Sequence, residues 1–106
     1  MYALKWSASE KKLAHRVFEE ALATELAEIM TTLKKRVAAA AEPDEMWAIQ
    51  EYLERKRREI DRKYDYRYSQ LPRVFAQLLR QGHIQEAQLA GLAEEKLECI
   101  RHLASL

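Results

Sequence analysis

The chain has 106 residues, which is enough for one domain with a modest hydrophobic core. Its 18 basic and 17 acidic residues leave a net charge of +1, and this balance argues against a dedicated nucleic-acid-binding protein. The single cysteine, Cys99, cannot form an internal disulfide and suits a reducing compartment. No apolar run approaches the roughly 20 residues of a membrane-spanning helix, and the first residues lack a signal-peptide core. We therefore expect a soluble, cytoplasmic protein without membrane insertion.

A long first helix is predicted by its start signal and by the absence of breakers. Only two Gly and two Pro occur in the chain, and Ala, Leu, Glu, Lys and Arg are abundant. Ser7 and Glu10 form a capping-box pattern, and no breaker follows before Pro43. We predict a helix from Ser9 to about Ala41. Its large apolar residues recur at helical spacing: Leu13, Val17, Phe18, Leu22, Leu26, Ile29, Leu33 and Val37.

The length of this helix has a consequence for assembly. It would measure roughly 50 Å, whereas a compact domain of this size has a diameter of roughly 35 Å. An apolar face on an overhanging helix requires a partner, and a second copy of the chain is the commonest one. We expect a homodimer, with a helical hairpin formed by one chain as the alternative.

The second helix is predicted to begin at Pro43 and to carry many charges of both signs. Asp44 and Glu45 favour a helix start there, and the short connection indicates that the chain folds back or bends sharply. Arg57 occupies a gap in the apolar stripe, where it pairs either with Asp61 of the same helix or with a residue across an interface. The stripe consists of Met46, Ile49, Leu53, Ile60 and Tyr64.

Two shorter helices are predicted after a break at Ser69. Helix 3 covers about Leu71 to Gln81 and stops at Gly82. Helix 4 starts near Gln85, so that the two helices form a hairpin joined by a few residues. The predicted fold class is all-α and the domain spans residues 1–106. A dimeric stalk occupies about residues 9–66, and a two-helix head occupies about residues 70–106.

Catalytic and metal-binding patterns are absent from the sequence. His15, His83 and His102 are isolated from one another, and Cys99 has no neighbouring base in a nucleophile pattern. We predict neither a cofactor nor an enzyme activity. Trp47 near the start of helix 2 suits a protein–protein contact, because its large apolar ring carries one polar N–H. The residues therefore indicate an interaction protein.

The central part of the chain resembles the fluorescence recovery protein family of cyanobacteria. The matching motif consists of Trp47, Glu51, Tyr52, Leu53, Lys56, Arg57, Glu59, Ile60, Asp61, Lys63, Tyr64, Asp65 and Arg67, followed by residues 74–79 and Gly82. A match this dense over residues 46–84 is far more specific than an isolated short motif. Upstream and downstream, the helix layout and the total length agree with the family.

The resemblance implies an all-helical homodimer that regulates photoprotection. Such a protein binds the photoactivated orange carotenoid protein through the C-terminal domain of that partner, speeds its return from the red to the orange form, and promotes its release from the phycobilisome. It implies a cytoplasmic location, with a peripheral position at the thylakoid surface through the phycobilisome. The residues implied as partner-binding or dimer surface are Trp47, Gln50, Glu51, Arg57, Asp61, Arg73, Phe75 and Cys99. The implied dimer seam contains Leu33, Met46 and Leu53.

Five positions depart from the family pattern: Gln50, Glu51, Pro72, Arg73 and Cys99. They leave the predicted fold and dimer in place. The alternative function is therefore a homodimeric helical adaptor of the same fold that acts on a different protein partner. A third reading, a helix-turn-helix DNA-binding protein, is disfavoured because the glutamates of helix 4 would repel phosphate.

Overall fold

The computed structural model describes residues 4–106 and confirms the all-α class. Four α-helices follow one another in the chain: α1 (Ala8–Ala39), α2 (Pro43–Lys63), α3 (Leu71–Arg80) and α4 (Glu94–Ser105). A short 3-10 helix, Glu86–Leu89, precedes α4. No strand occurs between residues 4 and 106. The first three residues of the predicted domain lie outside the described residues.

The predicted start of α1 is confirmed in detail. The Ser7 side chain accepts a hydrogen bond from the Glu10 backbone N–H at 3.2 Å, and the Glu10 carboxylate accepts one from the Ser7 N–H at 2.9 Å. This reciprocal pair satisfies two N–H groups that the first turn would otherwise leave without a partner. The helix ends at Ala39, because the backbone of Ala40 is extended.

The helices α1 and α2 run antiparallel, so the predicted fold-back at Pro43 is confirmed. Glu25 of α1 meets Lys63 at the end of α2, whereas Arg36 near the end of α1 lies over Tyr52. The resulting hairpin makes the molecule long, with extents of 53 × 23 × 22 Å and a radius of gyration of 16.9 Å. A compact chain of this length would have a radius of gyration of about 13 Å.

The predicted start of the fourth helix near Gln85 was wrong. Residues 81–93 form an irregular connection that contains the 3-10 helix, and α4 begins only at Glu94. The connection approaches α1 closely at Gly91, whose φ is +148° and where a Cβ atom would lie 2.8 Å from Leu13 Cδ1. The chain therefore crosses α1 before α4 starts, which a hairpin with a short loop would not allow.

The hydrophobic core lies at one end of the molecule. Residues of α3, α4 and their connection pack against the first half of α1, which contributes Ala14, Val17, Phe18 and Ala21. We call this part of the molecule the head, and the outer halves of α1 and α2 the stalk. The first half of α1 thus belongs to the core of the head, and its second half extends into the stalk.

An aromatic row connects the end of α2 to the start of α1. The segment after α2 runs back along α1, with Tyr64 and Tyr66 packed edge-to-face on Phe18 at ring distances of 5.3 and 4.8 Å. Tyr68 continues the row and lies 5.6 Å from the Trp6 ring. The loss of helical periodicity noted in the sequence at these tyrosines therefore marks an irregular segment held by aromatic contacts.

Candidate functional site

The stalk exposes a row of large apolar side chains on α1. Leu26, Met30 and Val37 are 47%, 56% and 57% exposed, and Leu33 between them is half-buried. Their spacings of 4, 3 and 4 residues place all of them on one helical face. Isolated exposed apolar residues are common on proteins, but a continuous row marks a surface that another molecule covers.

The predicted dimer seam falls partly on this row and partly on α2. Leu33 and Leu53 are half-buried within the single chain, and Met46 is 54% exposed. These residues have apolar surface left to bury. The assignment of the seam to a second copy of the chain stays a prediction.

Five of the predicted surface residues share one side of α2, which we call the α2 outer face. Trp47, Gln50, Glu51, Arg57 and Asp61 are all exposed, and Trp47 is 57% exposed. An α-helix turns by about 100° per residue, so these positions fall within a sector of about 120°. The structure therefore brings these five residues together on a solvent-facing surface.

The opposite side of α2 faces α1 and differs from the predicted stripe. Tyr52 and Lys63 are the buried residues of this helix, and Ile49 and Ile60 beside them are half-buried. The Tyr52 ring lies under the Arg36 guanidinium, 4.4 Å from its central carbon, in cation–π geometry. Tyr52 was not part of the predicted stripe, although its position three residues after Ile49 was a signal for this face.

In the single chain, the Arg57 side chain remains exposed and available to a binding partner. Its side chain is 85% exposed, and its Nε lies 3.9 Å from Asp61 Oδ2, whose side chain is 71% exposed. An exposed pair at this distance contributes at most a few tenths of a kcal/mol. The predicted pair with Asp61 of the same helix therefore exists, but it neither buries nor fixes the guanidinium. A pair across an interface stays a prediction.

The three predicted residues of the head have different environments. Arg73 is half-buried, donates a hydrogen bond to Gln70 Oε1 at 3.1 Å, and borders a groove between α3 and the end of α2. Cys99 on α4 is half-buried. Phe75 is fully buried in the core of the single chain, and its assignment to a partner surface stays a prediction. Its ring fills space between the helices of the head.

A buried polar cluster joins the stalk to the head, and sequence reasoning missed it. One carboxylate oxygen of Glu25 accepts hydrogen bonds from Lys63 Nζ and from Tyr64 OH at 2.9 Å, and lies 3.1 Å from His83 Nε2. Lys63 also donates to Gln81 Oε1 at 2.9 Å. Burial and the Glu25 carboxylate raise the pKa of Tyr64 well above its ordinary value. The cluster fixes the end of α2 and the end of α3 to the middle of α1.

A second buried cluster holds the head to the start of α1. The Glu10 carboxylate accepts a hydrogen bond from the Ala93 N–H at 2.8 Å and from Lys96 Nζ at 3.2 Å, in addition to its bond with Ser7. Burial alone would raise the pKa of Glu10, but the Ser7 and Ala93 N–H groups and Lys96 together lower it to about 2. Glu10 therefore caps α1 and also supplies the cap at the start of α4.

Residues 4–106 contain neither a metal-binding cluster nor a membrane-spanning helix. No group of three or more His, Cys, Asp or Glu side chains in this range is placed to hold a metal ion. Among the same residues, no helix combines the length and the apolarity that crossing a membrane requires.

An elongated helical hairpin with an uncovered apolar row and a charged outer face defines a class of helical proteins that bind other proteins. The chain belongs to the fluorescence recovery protein family, because the family model described as "Photoprotection regulator fluorescence recovery protein" matches residues 6–104. This confirms the resemblance found in the central motif and extends it over nearly the whole chain.

Particular relatives agree over nearly their full length. The fluorescence recovery protein of Synechocystis sp. (strain PCC 6803) is 39% identical over 101 residues, which cover 95% of this chain and 93% of that protein. Its solved structure has a TM-score of 0.91 at 38% identity, and the match covers 96% of this chain and 100% of the other. The fluorescence recovery protein of Fremyella diplosiphon has a TM-score of 0.92 at 34% identity with the same coverage.

Proposed function

We propose that the chain binds the photoactivated orange carotenoid protein, accelerates its reversion from red to orange, and promotes its release from the phycobilisome. The observation that supports this most is membership of a family of photoprotection regulators over residues 6–104. The proposal places the protein in the cytoplasm, at the thylakoid surface where the phycobilisome is attached.

The same proposal assigns the uncovered apolar row to a homodimer. Leu26, Met30 and Val37 on α1 and Met46 on α2 each leave roughly half of their side chain exposed. Burying such side chains against a second copy is favourable by about 25 cal/mol per Å² of apolar surface. The stalk has no core of its own in a single chain, so a second stalk would supply the missing contacts.

The α2 outer face is proposed to supply polar contacts, either to the partner or across the dimer. Arg57 and Trp47 are the residue types that most often dominate binding energy at protein interfaces. Arg57 is also available for such a contact, since the Asp61 carboxylate 3.9 Å away is exposed and does not bury it. Arg73 and Cys99 in the head are proposed as further contacts with the C-terminal domain of the partner.

Acceleration of a conformational change sets a requirement on how the partner is bound. A protein that bound only the red form would stabilise that form and slow its decay. Faster reversion requires contacts that become stronger as the partner approaches the barrier between the two forms. No covalent chemistry is needed for such a step, and the proposed role is regulatory.

The test is dark recovery of photoactivated orange carotenoid protein, followed by absorbance with and without the chain. We expect faster recovery with the wild type and a loss on the order of tenfold in affinity for Arg57→Leu, because a central arginine contact is removed. Arg80→Leu is the matched control, since Arg80 is an exposed arginine at the end of α3.

Two results would count against the proposal. If the folded wild-type chain neither speeds recovery nor forms a complex on size exclusion, the partner is wrong and an adaptor for a different protein becomes the better description. If recovery is accelerated equally by the wild type and by Arg57→Leu, the partner is right but the assignment of the α2 outer face is wrong.

A further inference from the structure

A shallow groove at the head end of α1 combines basic and aromatic side chains. It is lined by Lys11, Lys12, His15 and Arg16 from α1 and by Tyr66 and Tyr68 from the segment after α2. We call these six residues the basic groove. Because α1 is roughly 48 Å long at about 1.5 Å per residue, the groove is far from Trp47, which follows the other end of that helix.

The cations of the basic groove have no salt-bridge partner in the part of the chain that the structure describes. Among residues 4–106, none of Lys11, Lys12 and Arg16 lies within 4.0 Å of a carboxylate oxygen. The nearest acid along the helix, Glu10, is buried and occupied by Lys96. Glu19 follows one turn after Arg16 and marks the acidic edge of the groove. The groove therefore holds three cations beside one acidic residue at its edge, in a chain whose net charge is +1.

The two lysines lie outside the cap of α1. Lys11 and Lys12 follow the first turn, where the reciprocal cap binds the N–H groups of Ser7 and Glu10. Both lysines are exposed, and Lys11 also lies over the Tyr68 ring. Their ammonium groups therefore face solvent, where a molecule outside the chain can reach them.

The aromatic side of the groove is rigid and partly uncovered. Tyr66 and Tyr68 are 36% and 37% exposed, and their rings lie 5.8 Å apart in edge-to-face geometry. His15 packs on Tyr66 at 5.7 Å, and Lys11 Nζ lies 5.2 Å from the centre of the Tyr68 ring. Rings fixed in this way lose little conformational entropy on binding, which is the property of tyrosines at protein interfaces.

We propose that the basic groove is a second contact surface that binds an acidic segment of the regulated protein. Carboxylates of that segment would pair with Lys11, Lys12 and Arg16, and one of its apolar side chains would pack on Tyr66 and Tyr68. The charge of the groove and the kind of rings it holds favour this occupant. Three permanent cations are fewer than the roughly 4–8 of a segment that binds anionic lipid, and nucleic-acid binding calls for a larger basic surface. The inference rests on the proposed function, since the regulated protein is the orange carotenoid protein named there.

The test compares two double charge reversals on the same helix. Lys11→Glu/Lys12→Glu changes the groove, and Lys34→Glu/Lys35→Glu is the matched control, because both pairs are adjacent, exposed lysines of α1. Binding of each dimer to photoactivated orange carotenoid protein is measured at low and at physiological salt, with light scattering to verify the mass of each variant. We expect the groove variant to bind on the order of tenfold more weakly, with a shallower salt dependence, and the control to bind as the wild type does. Acid near the start of α1 favours the helix, so the groove variant should keep its thermal stability.

Each other outcome overturns the inference in a distinguishable way. Equal binding by the groove variant and the wild type removes the groove from the complex but leaves the proposed function intact. Equal weakening by both double variants indicates general electrostatic attraction without a defined site. If the wild type binds vesicles containing phosphatidylserine and the groove variant does not, while binding to the carotenoid protein is unchanged, the occupant is a membrane. If the wild type does not bind the carotenoid protein at all, the inference falls together with the proposed function.

Discussion

Replacing Glu10 tests whether one buried carboxylate holds the head to α1. Glu10 is 6% exposed, and its pKa is lowered from 4.5 to about 2, which corresponds to about 3 kcal/mol of preference for the charged form in the folded state. Glu10→Gln keeps the shape but removes the charge, and it leaves Lys96, which is 2% exposed, without its carboxylate. We therefore expect a loss of about 3 kcal/mol at pH 7.

The pH dependence distinguishes a charge effect from a packing effect. A lowered pKa stabilises the folded state fully above pH 4.5, and this contribution disappears as the pH falls from 4.5 to about 2. Urea unfolding at fixed protein concentration should thus show a gap between wild type and Glu10→Gln that closes towards pH 2. Glu20→Gln, an exposed carboxylate on the same helix, should show no such gap. Lys96→Met added to Glu10→Gln should recover part of the loss, because no buried charge then remains.

Either of two results would contradict a stabilising role of the buried Glu10 carboxylate. One is a difference between wild type and Glu10→Gln below about 0.5 kcal/mol at pH 7, which is the usual effect of a surface substitution. The other is a gap of the same size at pH 7 and pH 2, since loss of a charged contact cannot persist once Glu10 of the wild type is protonated.

Two further predictions concern assembly and the connection between α3 and α4. Met46→Glu should dissociate the proposed dimer, because an unpaired charge on an apolar seam costs several kcal/mol. Light scattering measures the mass, and an unchanged mass would contradict the assignment of the seam. Thr31→Glu is the control, because Thr31 is exposed on α1 but points away from its apolar row. Gly91→Ala should destabilise the chain by about 1–3 kcal/mol and more than Gly82→Ala. Both glycines have a positive φ, +148° at Gly91 and +77° at Gly82, but only the Cβ at Gly91 would meet another residue, 2.8 Å from Leu13 Cδ1, whereas Gly82 has no atom within 4 Å. Thermal unfolding of both variants decides this, and equal losses would contradict it.

Local signals predicted most of the fold. The Ser7 cap, the break at Pro43 and the spacing of large apolar residues were sufficient for the first three helices, because each is encoded within a few consecutive residues. The start of α4 was not predictable in this way. It depends on Glu10 binding the Ala93 N–H across 83 residues of chain, and on the approach of Gly91 to α1.

The buried charges were missed for a related reason. Glu25 and Lys63 are 38 residues apart, and Glu10 and Lys96 are 86 residues apart, so neither pair has a local pattern. A charged residue is normally assigned to the surface, because burying it without a partner is costly. One signal was present: Glu25 continues the spacing of Ala21 on the buried face of α1. Small alanines such as Ala14 and Ala21 also mark that face, but a pattern of large apolar residues does not include them.

The residues of the α2 outer face were identified through the resemblance, because exposed positions do not follow a hydrophobic pattern from which a function could be predicted. Periodicity did indicate that α2 has an apolar side, but it left out Tyr52, whose ring is buried under Arg36. The role of Phe75 was likewise assigned by resemblance, and the structure adds that its ring lies inside the core of the head.

The position of the core at one end of α1 implies a gradient of local stability along this single helix. Its first half is fixed by buried side chains of the head and by the Glu10 and Glu25 clusters. Towards Ala39, its exposed apolar side chains have few neighbours, so the backbone hydrogen bonds there can open without unfolding the head. A single copy would therefore exchange amide hydrogens rapidly at the tip and slowly in the head. Whatever molecule covers the tip would convert a fraying hairpin into part of one cooperative unit.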